Sequence, residues 1–344
     1  MKSELLQYLC CLACKGELIL GPISKQDGAG VVDTGELVCG GCGSRYPIWN
    51  GIPRLLPRPE ELEGHDKRTM ECFGYEWNVY RDWGWVKKVP PQARLEAWGS
   101  LMEDAETAFS AKTLLTEDDL VGKVVLDAGC GNGRYAFQAA KKAQRVVAFD
   151  ITCSVDVAKA NTDACENIHV VQADLLGPPF RPESFDTIFS IGVLGFTLDA
   201  EVAFDSLSRL LRPGGVVAVQ FSHRGNVVFE LMDNAIRRLS SRLSVGQLMR
   251  FAAFMAGIGK VMHGLRIARY ANLILRVQPT RHHMFDWYSA ARIDRRSYDD
   301  VFSWFERRGL EVIAHGKRDS TAARYLRAIV FPWALVVKGR KPVP

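Results

Sequence analysis

Four cysteines fall in two pairs with two residues inside each, Cys11-Leu-Ala-Cys14 and Cys39-Gly-Gly-Cys42. That spacing lets both thiols of a pair turn toward one ion, and two pairs give the tetrahedral four-sulfur set that zinc prefers. Gly40, Gly41 and Gly43 suit the tight knuckle of such a site, where backbone must approach sulfur. Cys10 lacks the spacing to Cys14 and stands outside the set. An iron site of the rubredoxin kind would use the same ligands.

A second group of residues is suited to holding a nucleotide. In Val125-Leu126-Asp127-Ala128-Gly129-Cys130-Gly131-Asn132-Gly133-Arg134, a glycine-rich turn separates an apolar run from a helical pattern. Such a turn brings backbone close to a ligand at a helix N-terminus. Asp127 precedes the glycines. Asp150, followed by Ile151, ends the next apolar run, where it can bind both hydroxyls of a ribose. Asp174, followed by Leu175, ends the third and can face an adenine amino group. A dinucleotide enzyme would space its glycines Gly-x-Gly-x-x-Gly, and here the third falls one residue early. A third group, His282-His283-Met284-Phe285-Asp286-Trp287-Tyr288-Ser289, offers a base and hydrogen-bond donors. His223, just past a later strand, is another candidate base.

These residues need elements to hold them. Apolar runs at 124–127, 145–150, 168–174, 185–191 and 216–221 alternate with helical segments, which predicts a doubly wound parallel sheet. Residues 222–290 carry apolar and basic residues at helical spacing and predict an insertion beyond the carboxyl edge of the sheet, covering the crevice. Tyr298–Arg308 reads as an amphipathic helix closed by Gly309. Segments 310–314 and 328–338 then read as a closing hairpin. Between the cysteines and the core, residues 58–104 are dense in aromatics, with Phe73, Tyr75, Trp77, Trp83, Trp85 and Trp98. Most suit packing; Tyr75 or Trp77 could also cap a cofactor.

Together, the glycine turn, Asp150, Asp174, Phe185-Asp186-Thr187-Ile188 and Leu210-Leu211-Arg212-Pro213-Gly214-Gly215 resemble the class I S-adenosylmethionine-dependent methyltransferases over about residues 105–221. The resemblance implies a seven-stranded Rossmann-like sheet. It places Gly129 and Gly131 against the methionine part of the cofactor, Asp150 on the ribose and Asp174 on the adenine. Asp127, Ile151, Leu175 and Ser190 would complete the site. Many relatives read Gly-Val-Leu-His-His after the fourth strand, but this chain reads Gly192-Val193-Leu194-Gly195-Phe196. Phe196 therefore marks an apolar, roomier acceptor region, to which Asp286 and Tyr288 would add polar contacts. The stretch Tyr46-Pro47-Ile48 with Gly51-Ile52-Pro53 makes residues 5–57 resemble the small zinc ribbons that activate tRNA and translation-factor methyltransferases. The expected organisation is a ribbon over 1–57, a linker or cap over 58–104, a core over 105–221 and 291–344, and a basic lid over 222–290.

Bulk properties set limits on function. The 344 residues are 47% hydrophobic and 24% charged, which suits a packed globular chain. A net charge of +5 does not announce a nucleic-acid binder. Its distribution is uneven: residues 1–64 hold six Lys/Arg against eight Asp/Glu, whereas 222–296 hold thirteen against four. The start has no signal-peptide pattern, and the longest apolar runs fall short of the roughly 20 residues a membrane helix takes, so a cytoplasmic location is expected. Ser190-Ile191-Gly192-Val193 is not the Asn/Asp-Pro-Pro-aromatic turn of amine methylation, and no Cys nucleophile for cytosine C5 follows the fourth or fifth strand. The expected reaction is methylation at O or C of a small hydrophobic or anionic metabolite, lipid-like or phosphate-bearing, with peripheral membrane contact. His283, His282 or His223 would be the base. An rRNA or tRNA methyltransferase using ribbon and lid to hold RNA is the second reading, and a non-catalytic scaffold the third.

Overall fold

The computed structural model describes residues 1–57, 64–85, 105–224, 227–316 and 334–343. Trp98 and residues 328–333 of the expected hairpin lie outside them. After a short 3-10 turn, Ser3–Gln7, come β1 (Leu18–Gln26), β2 (Val32–Cys39), β3 (Arg45–Trp49) and β4 (Ile52–Leu55). Two helices follow, α1 (Gly64–Val79) and α2 (Ala105–Thr113). The core then runs β5 (Val124–Ala128), α3 (Arg134–Ala140), β6 (Arg145–Asp150), α4 (Ser154–Thr162), β7 (Ile168–Ala173), β8 (Phe185–Ile191), α5 (Ala200–Leu210) and β9 (Leu211–Ser222). The insertion holds α6 (Val227–Ser240), α7 (Val245–Gly264), α8 (Ala268–Ala271) and α9 (Arg281–Ser289). The chain closes with α10 (Tyr298–Arg307), β10 (Glu311–His315) and β11 (Ala334–Arg340). Gly309, past α10, takes the left-handed φ of 62° that a helix-ending glycine permits.

The sheet order is β1-β2-β3-β4-β7-β6-β5-β8-β9-β11-β10. The last seven members are the strands expected of the core. The ribbon does not stand apart from them: β4 leaves its antiparallel meander and pairs in parallel with β7, Arg54 opposite Gln172 and Leu55 opposite Ala173. One sheet of eleven strands results.

Strand periodicity divides the core between two faces. Val146 and Ala148 of β6 face Ala136, Val155 and Phe109 of α3, α4 and α2. Val147 and Phe149, between and after them, face the opposite layer, where Phe204, Leu207, Trp304 and Phe305 of α5 and α10 pack. The ribbon's Leu5, Leu37, Ile48 and Leu55 join that second layer without a break. Among the described residues no helix is long and apolar enough to cross a membrane.

The insertion has its own core. Leu248, Ala252, Met255 and Ala256 of α7 close on Met284, Phe285 and Tyr288 of α9 and on Cys72 of α1. Beside it lies a buried ionic knot. Asp233 of α6 accepts from Arg237 Nε at 2.8 Å and from Trp287 Nε1 at 2.6 Å, and also pairs with Arg295. All three charged side chains are almost fully buried. Asp233→Ala would strand two guanidinium groups in the interior, at a cost of about 3–5 kcal/mol. Urea unfolding monitored by tryptophan emission measures it; a loss below about 1 kcal/mol would show that the arginines find water instead.

Candidate active site

The glycine turn after β5 is built by backbone constraint. Gly129, Gly131 and Gly133 have φ of 90°, 53° and 82°, a region that side chains other than glycine's enter at a penalty. Gly129 N and Cys130 N both donate to the Phe149 carbonyl, at 2.8 and 3.0 Å, which pins the turn to the end of β6. A Cβ on Gly129 would sit 2.3 Å from Val193 Cγ2, and one on Gly131 would sit 3.0 Å from the Trp77 indole. Asn132 Nδ2 donates to the carbonyls of Arg81 and Trp83, tying the turn to the segment that follows α1.

A cleft of about 970 Å³, measured out to its mouth, opens over this turn. Gly129, Gly131, Asp150, Ile151, Asp174 and Leu175 all line it, and so do Phe196 and Asp286. Asp150 accepts from Gly131 N at 3.0 Å with one oxygen, and from Thr152 N and Oγ1 at 2.9 and 2.8 Å with the other. Asp174 accepts from Leu176 N at 3.0 Å. Burial raises both carboxyl pKa values above the ordinary range.

Two residues expected in the site lie behind it. Asp127 is buried beneath the turn with Oδ2 unpartnered among the described residues; burial, then the nearby Asp150, drives its carboxyl pKa far up. Ser190 is fully buried and donates to the Ala128 carbonyl at 2.8 Å, locking β8 to the end of β5. Both shape the cleft without lining it.

The roof comes from α1; among the described residues of the insertion, only Asp286 reaches the lining. Thr69, Phe73 and Trp77 recur every four residues and share one helical face, which looks into the cleft. Phe73 meets Phe196 edge-on, with ring centroids 5.2 Å apart. Trp77 therefore does cap the cleft, whereas Tyr75 points away, 40% exposed and beside Phe285. Thr69 was not marked by the sequence reading, and the four-residue spacing with Phe73 and Trp77 was the signal available. Trp83 and Trp85 pack on His282 and Phe137.

Behind the roof, Glu76 of α1 is completely buried with Oε1 2.6 Å from His282 Nε2. Burial pushes the Glu76 carboxyl pKa well above its usual range and brings the His282 imidazole down to about 4. Burial thus disfavours the charged form of both partners. Asp286, one helical turn beyond His282, reaches the cleft; burial and then Glu76 raise its pKa to about 7. The three imidazoles do not line the cleft. His282 faces Glu76, His283 Nδ1 lies 2.5 Å from Thr280 Oγ1, and His223 Nδ1 lies 2.7 Å from the Arg224 carbonyl. Tyr288 is buried against Phe251 and the Arg237 guanidinium in the insertion's core, outside the cleft.

Residues 126–219 match the family model of a methyltransferase domain, and residues 2–51 match that of Trm112p-like proteins. The chain therefore carries a methyltransferase domain over 126–219 and a Trm112p-like ribbon over 2–51. The chain is 32% identical over 123 residues to a demethylmenaquinone methyltransferase of Lactococcus lactis, covering 33% of this chain and 48% of that one. It is 35% identical over 126 residues to a malonyl-[acyl-carrier protein] O-methyltransferase of Salmonella typhimurium, covering 37% and 48%. It is 33% identical over 135 residues to a probable tRNA methyltransferase 9B of Mus musculus, covering 37% and 29%. The chain spans about half the length of the first two relatives. Their names disagree on the acceptor, so the acceptor must be argued from the cleft.

In the Trm112p-like ribbon the four expected thiols come together. Cys11 Sγ lies 3.6 Å from Cys42 Sγ, Cys14 Sγ lies 3.4 Å from Cys39 Sγ, and all four sulfurs fall within 4.8 Å of one another. Sulfurs about 2.3 Å from a central ion would have such spacings. None of these four cysteines is among the residues that line the methyltransferase domain's cleft.

Proposed function

We propose that this chain transfers the methyl group of S-adenosylmethionine to an oxygen or carbon atom of a small, apolar acceptor, and that its ribbon holds a structural zinc ion. The observation that carries the reading is the meeting, in one cleft, of a glycine cradle, two strand-end carboxylates and an apolar chamber ending on Asp286. The residues present fit the cofactor. Gly129 and Gly131 put bare backbone at the cleft wall, Asp150 would take the ribose hydroxyls, and Asp174 with Leu175 would face the adenine edge.

When bound, S-adenosylmethionine supplies a methyl group already activated by a sulfonium. The chain's work is therefore positional. Holding two reacting groups in line can contribute about 7–11 kcal/mol. Phe73, Val193 and Phe196 form apolar walls that exclude water and orient the acceptor. Asp286 takes the acceptor proton, since it is the carboxylate beside those walls and its raised pKa suits the task at neutral pH. The imidazoles of His282 and His283 stay behind the lining as packing and positioning groups.

Calorimetric titration of the full chain with S-adenosylmethionine tests the cofactor assignment. Micromolar binding is expected, weakened about 100-fold or more in Asp150→Ala, which loses a charge-assisted pair of hydrogen bonds and loosens the glycine turn. Absence of binding at millimolar ligand, or equal binding by the variant, would overturn it.

A further inference from the structure

The insertion has an outward surface that the cleft does not use. From residue 234 to residue 285 the chain holds no Asp or Glu in 52 positions, and nine Lys or Arg. Helix α6 buries Phe229, Asp233, Arg237 and Ser240 on one face, and α7 buries Leu248, Ala252, Met255 and Ala256 on one face. The opposite faces carry Leu231 and Leu239 on α6, then Phe254 and Val261 on α7, each 61–67% exposed. Arg238, Arg242, Arg250 and Lys260 stand exposed among them.

We propose that these two faces dock on a bilayer surface containing anionic lipids, with the leucines and Phe254 entering the headgroup boundary. The charge is complementary to such a surface along α7 and the second half of α6, with no carboxylate between residues 234 and 285 to oppose it. Large exposed apolar side chains mark a contact site rather than a solvated face. Alternation of leucine and phenylalanine with arginine on the outer face of a helix is how a segment lies in a membrane interface without spanning it. RNA would use the arginines but gain nothing from Leu231, Leu239 and Phe254. Because α7 packs on α9, which carries Asp286, docking would set the cleft beside the layer where apolar acceptors dissolve. The surface shares no side chain with the cofactor cleft, so docking and methyl transfer can fail independently.

Flotation of the full chain with vesicles tests this, using phosphatidylcholine alone and phosphatidylcholine mixed with phosphatidylglycerol, at physiological salt. The chain should float with the anionic vesicles and stay behind with the neutral ones. The triple variant Leu231→Glu, Leu239→Glu, Phe254→Glu should lose about tenfold or more of that partition. It should keep the melting temperature and the S-adenosylmethionine affinity of the parent, since all three positions are exposed. Failure to float with anionic vesicles overturns the proposal. So does a triple variant that floats like the parent, because attraction would then be charge alone. Binding of a single-stranded RNA oligonucleotide without flotation would reassign the surface to nucleic acid. Self-association lost in the triple variant, without flotation, would reassign it to a second copy of the chain.

Discussion

Asp286→Asn lowers turnover by about 10²–10⁴-fold, the usual contribution of a general base, while the S-adenosylmethionine Kd is unchanged. The substitution keeps the shape of the side chain in the cleft and removes its capacity to take a proton. In the parent, log kcat should rise with pH and level off above about 7, because burial holds the Asp286 carboxyl at that value. An imidazole base would place the rise elsewhere: His282 sits at about 4 and His283 at about 3, both lowered first by burial. A limb near pH 4, or an Asn variant that turns over like the parent, would return the proton to those histidines. The same group has a stability signature. Its folded pKa lies above the ordinary carboxylate value, so its favourable contribution is complete below that value and is lost as pH rises through about 7. The Asn variant should therefore melt higher than the parent at pH 8, and the gap should close as pH falls toward 4.

If the four thiols hold the proposed zinc, removing it, by a chelator or by Cys14→Ser with Cys39→Ser, should destabilise the entire chain and lower its melting temperature by about 10 °C or more. Structural zinc in small fingers supplies about 10–16 kcal/mol of apparent binding energy. A whole domain is usually stable by only about 5–15 kcal/mol. The ribbon's share passes to the core through named contacts. Leu55 pairs with Ala173 on the sheet, and Leu37 and Ile48 pack in the layer that holds Phe149 and Phe204. Arg54 grips Asp156 at 2.7 Å and donates to Gln172 at 2.9 Å; Gln172 in turn donates to the Ile151 carbonyl in the cleft wall. Circular dichroism should show one transition, and cofactor affinity should fall with it. A ribbon that unravels while the cofactor Kd stays put would show that the zinc serves the ribbon alone.

The parts of the site visible in the sequence are those set by local backbone. Gly129, Gly131, Asp150 and Asp174 each sit at the end of a strand whose apolar run is plain in the chain, and strand ends line the crevice of such sheets. The four ribbon thiols were visible for the same reason, since the spacing within each pair fixes their approach. Residues placed by tertiary contacts were harder to read. His282 and His283 look catalytic as adjacent imidazoles, but α9 turns His282 toward Glu76, two hundred residues earlier, and leaves Asp286 to reach the cleft. Tyr288, on the same short helix, faces α7 instead. The roof was half legible: the sequence offered Tyr75 or Trp77 as a cap without choosing between them, and Thr69 sits in a stretch with little apolar periodicity. That β4 would join β7 could not be read at all, because nothing in four residues names their partner strand.

The union of β4 with β7 also decides how the sheet ends. Every residue of β7 is buried, and its sequence, Ile168-His-Val-Val-Gln-Ala173, has no device to stop another chain from adding to its open side. With the ribbon in place the terminal strand is β1, which carries Pro22, irregular register at three points and an exposed Lys25. These are features that discourage edge-to-edge pairing. A chain trimmed to begin after the ribbon would present β7 as its margin, and its failure mode would be aggregation through that strand rather than simple loss of activity.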